Sequence, residues 1–155
     1  MDLYSCVKTL HIISSTVLFG TGLGIAFFMF CSLYAKNIHE KYYAARFTVL
    51  ADYLFTAPAV ILQPLTGIWL VMHSGVDPMA LWLKLTYTLY LLAGACWLPV
   101  VWIQIQLRKI VAQCSETGAA LPPRYNQLFK IWFVLGWPAF LSLIVIFYLM
   151  VEKPV

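Results

Sequence analysis

The chain of 155 residues is 63% hydrophobic and 10% charged, with a formal net charge of +4; soluble domains run at about 45–50% apolar and roughly 25% charged. That composition excludes a soluble globular domain. The basic residues flank apolar runs and form no continuous patch, which excludes a nucleic-acid partner.

The charged residues leave four charge-free runs, 9–35, 53–76, 85–107 and 131–151. Each matches the 20 or so helical residues that cross a bilayer core, and none is long enough to cross twice. The expected fold is therefore all-α: an integral membrane four-helix bundle of up-down topology. It forms one transmembrane domain over 1–155, with spans at about 9–35, 48–73, 80–107 and 127–151. The first run exceeds the 7–15 apolar residues of a signal-peptide core and only Lys8 precedes it, so the first helix is expected to be retained. The side with the connections around 36–46 and 108–130 carries seven basic residues (Lys36, Lys41, Arg46, Arg108, Lys109, Arg124, Lys130), and the other carries three (Lys8, Lys84, Lys153). The positive-inside rule then predicts a cytoplasmic membrane protein with both termini periplasmic.

In the first helix, Lys8, His11 and Ser15 share one face. A histidine on a bilayer-crossing helix marks a candidate site, because polar groups there are costly to keep. Gly20 and Gly24 form a GxxxG pattern, read as close packing within the bundle or as a homo-oligomer seam. The second helix has Pro58 and Pro64, predicting a kink between them. Its polar residues Asp52, Thr56, Gln63, Thr66 and His73 fall in one stripe expected to face the bundle. Asp52 is expected to pair with a nearby Arg or Lys, and Gln63 to bond a carbonyl freed by a proline. The third helix opens on Leu81-Trp82-Leu83-Lys84 and meets Pro99 late. The fourth follows Leu121-Pro122-Pro123 and contains Gly136-Trp137-Pro138. The four cysteines (Cys6, Cys31, Cys96, Cys114) show no CxxC or CxxCH spacing, so reduced thiols are expected and covalent c-type haem is excluded.

Alternating spans bring Lys8, His11, His73 and Lys84 to one membrane face. An imidazole, a second imidazole and two amines suit a b-type haem: His11 as axial ligand, His73 or Lys84 opposite, Lys8 on a propionate. Each also has a plain reading. His11 can be a hydrogen-bonded bundle residue, His73 a turn residue, Lys84 a snorkelling cation and Lys8 interfacial.

Lys8-Thr9-Leu10-His11-Ile12, Pro64-Leu65-Thr66-Gly67-Ile68-Trp69-Leu70 and Trp82-Leu83-Lys84-Leu85 resemble motifs of the HemJ-type protoporphyrinogen oxidases. The CopD-like copper-resistance membrane proteins share a similar core. Longer stretches, among them Thr16–Gly24, Leu50–Val60, Gly94–Trp102 and Leu135–Ala139, resemble a bacterial family of predicted integral membrane proteins over nearly the whole chain. The oxidase resemblance implies that His11 and Lys84 are haem-associated. Asp52, Gln63 and the Gly136-Trp137-Pro138 break depart from that family's pattern.

Three functions follow as expectations. The first is a haem-binding redox protein passing electrons to a quinone or another membrane redox protein. The second is a metal or ion transporter, with Met72, His73 and Met79 as soft donors or the Asp52–Gln63–His73 stripe as a path. The third is an assembly subunit without chemistry.

Overall fold

The computed structural model describes residues 2–154, and the regular structure in them is helical. Helix α1 covers Leu3–Cys31 and ends in a 3-10 turn, Ser32–Tyr34. Helices α2 (Ile38–Ala51) and α3 (Ala57–Ser74) join through a π-helical turn, Asp52–Thr56. Helices α4 (Leu81–Thr117) and α5 (Pro123–Glu152) follow. With α2, the π turn and α3 as one rod, four rods of 32, 37, 37 and 30 residues are long and apolar enough to cross a membrane. This is the expected up-down four-helix architecture.

A 37-residue rod is about 55 Å long against a hydrocarbon layer of about 30 Å. Most of the excess falls where α1 hands over to α2 and α4 to α5, here called the loop face; the opposite side is the termini face. Beyond the sequence-derived span limits, α2 and α4 are joined by a His39–Ser115 hydrogen bond of 2.8 Å.

The helix ends are closed by side chains and by two glycines. Asp2 Oδ1 accepts from the Ser5 N–H at 2.8 Å, and Asn37 Oδ1 from the His39 N–H at 2.9 Å. Lys41 Nζ donates to the Ser32 and Leu33 carbonyls, two of the acceptors orphaned where α1 stops. Gly75 (φ +71°) and Gly118 (φ +70°) end α3 and α4 in the left-handed region that favours glycine.

The prolines act one by one. Pro58 has no N–H and its ring crowds the carbonyl four residues back. The chain widens just before it, and the Ala57 N–H reaches the Asp52 carbonyl five residues back. The distortion thus falls before Pro58, not between Pro58 and Pro64 as the spacing implies. Pro64 frees the carbonyl of Val60, and Tyr90 Oη of α4 donates to it. Gln63, expected to do this, is used elsewhere.

Two buried clusters hold the bundle. At the loop face Met29, Ala45, Val100, Ile103, Leu107, Val111, Tyr125, Leu128, Phe129 and Trp132 pack together. At the termini face Trp82, Leu83 and Leu149 do so. Helix α4 packs along α5, α2 along α4, and α1 along α3, while α1 and α5 meet only briefly. The space between the clusters, where α1 stands off from α4 and α5, is hollow.

The glycines of α1 and α5 are not where the helices come closest. A Cβ built on Gly20, Gly22, Gly24 or Gly136 finds nothing within 4 Å. Close packing at Gly20 and Gly24 within the bundle is therefore not what the structure has. The close approach is at Gly67, where a Cβ would lie 3.2 Å from His11 Cε1.

Candidate binding site between the helices

The α1–α3 seam near the termini face is built around His11. Thr66 Oγ1 donates to the Leu62 carbonyl at 2.6 Å, so its remaining capacity is as an acceptor. His11 Nδ1 lies 2.7 Å from that oxygen; with the hydroxyl proton given to the Leu62 carbonyl, Nδ1 is assigned as the donor and Nε2 keeps the lone pair. Gln63 Nε2 donates to the His11 carbonyl at 2.8 Å and to Ser14 Oγ. Thr66 and Ser14 are buried and His11 is half-buried. Gln63 and Thr66, from the middle of the second span's polar stripe, thus clamp α1 to α3.

Of the other residues gathered with His11 in the sequence, His73 is engaged elsewhere. His73 is exposed, bonds the Trp69 carbonyl through Nδ1 at 2.9 Å and stacks on the Trp69 ring at 4.0 Å. It lies seven residues beyond Thr66, about 10 Å further along α3, more than one metal ion bridges. Lys8 and Lys84 are exposed, as are Met72 and Met79. Among the described residues no three His, Cys, Asp or Glu side chains gather closely enough to hold a metal ion. All four cysteines are free thiols. One imidazole with an oriented free nitrogen fits an axial ligand; a bis-histidine pair on one iron does not fit this register.

The hollow has a volume of about 290 Å³, near the lower end for sites that take small molecules. Its walls are apolar and aromatic: Phe19 from α1, Tyr90 and Trp97 from α4, Trp132, Phe133, Trp137 and Phe140 from α5. Its polar end is formed by Asp52 and Thr56 from the π turn and Gln104 from α4. The three are only 2%, 3% and 2% exposed. Thr56, Trp97 and Gln104 turn toward the Asp52 carboxyl. None closes a hydrogen bond: both Asp52 oxygens, Thr56 Oγ1, Gln104 Oε1 and the indole nitrogens of Trp97 and Trp132 are buried without a partner. Asp52 therefore lacks the basic partner expected for it. Arg46 is exposed and lies over the Phe47 ring, 5.8 Å from its centroid. Buried polar groups are nearly always satisfied, so six unpartnered atoms on residues that line one cavity are exceptional.

The cavity opens sideways. Leu23, Phe133 and Trp137 line it yet remain about half exposed, so the mouth lies between α1 and α5, toward lipid. Two aromatic bridges frame it. Phe19 stacks on Phe140 at 5.1 Å and meets Phe147 edge-on at 5.4 Å; eleven residues on, Phe30 stacks on Phe133 at 5.8 Å. That spacing leaves a window about 16 Å high. Gly22 lines it from α1 and Gly136 from α5. The absence of side chains there keeps the window clear.

Sequence reasoning missed Trp97, Gln104 and Trp132. A signal existed: Ala93, Trp97, Val100 and Gln104 recur at steps of four, three and four, one helical face carrying a lone amide in an apolar run.

Fold and site together define a multi-pass integral membrane protein with an intramembrane cavity. The model of one family, described as Predicted integral membrane protein (DUF2269), matches residues 5–154. The chain belongs to that family, whose description names no activity. No curated protein and no solved structure matches the chain.

Proposed function

We propose that the protein is a cytoplasmic-membrane protein, both termini periplasmic, that binds a lipophilic small molecule within its helix bundle. The observation that carries this reading is the aromatic hollow whose lining residues carry six unpartnered buried polar atoms, four of them at its polar end. Unsatisfied groups of that kind cost about 1–3 kcal/mol each, and a ligand with a polar head offsets that cost. The polar end lies about 22 residues of helix from Ser74, roughly 33 Å. This is near the loop-side edge of the hydrocarbon, the depth at which an amphiphile carries its head. Native mass spectrometry of the purified wild type and of Gly94→Phe, which projects a ring into the hollow, tests this. A bound small molecule is expected in the wild type and not in the filled variant. Equal occupancy in both, or none in either, counts against the reading.

A second reading is favoured by the His11 tautomer. An imidazole whose Nδ1–H is held by Thr66 presents Nε2 as a ligand, the arrangement used to orient metal-binding histidines. On this reading the protein holds haem b through His11 near the termini face, with Lys8 or Lys84 on a propionate, and works with a quinone or another membrane redox protein. The haem would supply one-electron chemistry, and the chain's own part is to orient His11. Oxidised and dithionite-reduced spectra are expected to show a Soret band in the wild type that is lost in His11→Ala. A colourless protein purified from haem-replete cells removes this reading and leaves the first intact. Gly20 and Gly24, open to lipid, are where a second copy would dock if the protein pairs.

A further inference from the structure

We propose that the ligand of the hollow is an aryl-alkyl ammonium ion, its –NH₃⁺ head on Asp52 and its ring among the aromatic walls. This rests on the reading of the hollow as a binding site and adds the chemical class of its occupant.

An ionised carboxylate in a dry interior is retained opposite a positive charge, or else it carries a proton. Here no basic side chain bonds Asp52, and the cavity it lines is walled by aromatic side chains. Indole faces attract cations, more strongly where water is excluded. Thr56 and Gln104 stand beside the carboxyl with donors turned toward it, and the Thr56 Oγ1 and Gln104 Oε1 lone pairs have no partner of their own. An ammonium has three donors and no acceptor, so one head satisfies Asp52, Gln104 and Thr56 together. A hydroxyl head brings one donor and leaves most of the set unpaired. The indole N–H of Trp97, turned toward the carboxylate and also unused, can donate to it and hold it in place. The flat body of such a molecule suits a space of about 290 Å³, and its amphiphilic form suits a polar end near the hydrocarbon edge.

The test is equilibrium dialysis of the full-length protein in detergent against empty micelles, with 1-naphthylmethylammonium and its neutral counterpart 1-naphthylmethanol. Wild type is expected to bind the ammonium saturably and at least about tenfold tighter than the alcohol, the scale of a charge-assisted hydrogen bond. Asp52→Asn, which keeps the shape and removes the charge, is expected to lose that preference. Should this variant fail to fold, Gln104→Met is expected to lower the preference severalfold. Equal binding of the two probes by wild type, or an undiminished preference in Asp52→Asn, overturns the ammonium assignment while leaving the hollow a binding site. No saturable binding of either probe overturns both.

Discussion

Gly22→Phe is expected to abolish saturable binding in the hollow while leaving thermal unfolding in detergent within a degree or two of the wild type. The two halves of this outcome come from one observation. A Cβ on Gly22 meets nothing within 4 Å, so the first atom of a new side chain is accommodated without strain. Gly22 also lines the hollow, on the stretch of α1 between the Phe19 and Phe30 bridges. A phenyl group there projects into the window and obstructs it, so binding falls by more than about tenfold or its approach to equilibrium slows by as much. Gly136→Phe, from the α5 side, is expected to act the same way. Titration of either variant with 1-naphthylmethanol decides the matter. Unchanged affinity and rate would show that the ligand enters elsewhere.

Gly67→Leu is expected to have the opposite profile, a loss of stability of about 2 kcal/mol, the usual scale of overpacking. Here a Cβ would already sit 3.2 Å from His11 Cε1, so the imidazole must retreat even for alanine. Leucine drives it off Thr66 and with it strains the Gln63 bond to the His11 carbonyl. The variant should unfold at lower temperature or lower SDS fraction than wild type, with Gly67→Ala between the two. Wild-type stability in Gly67→Leu would mean that the α1–α3 seam repacks freely.

The spans were legible because charge is scarce in a bilayer: 16 charged residues mark the ends of every crossing. The stripe from Asp52 to His73 was legible as a helical face, and its middle members do bind α1 to α3. What it hid was its own division. The π turn adds a residue to one turn, so Asp52 and Thr56 reach the hollow while Gln63 and Thr66 reach the seam. A period read at a constant helical pitch cannot show that shift. The haem-site residues were placed together by membrane side alone. Sidedness fixes depth and leaves open which neighbour a side chain faces, and His73 turned back onto Trp69. The glycines were read as contact residues because small side chains serve close approach in lipid. In this bundle a Cβ on Gly20 or Gly24 meets only open space, and Gly22 between them lines the hollow.

A window on the acyl chains makes the bilayer itself the reservoir. Compounds would arrive by lateral diffusion, and their concentration at the mouth is set by membrane partitioning rather than by the aqueous dose. Each methylene added to a compound outside its ring and head raises that concentration about fourfold, from about 0.8 kcal/mol of transfer. A homologous series should therefore gain apparent aqueous potency steadily with chain length while making no new contact with the protein.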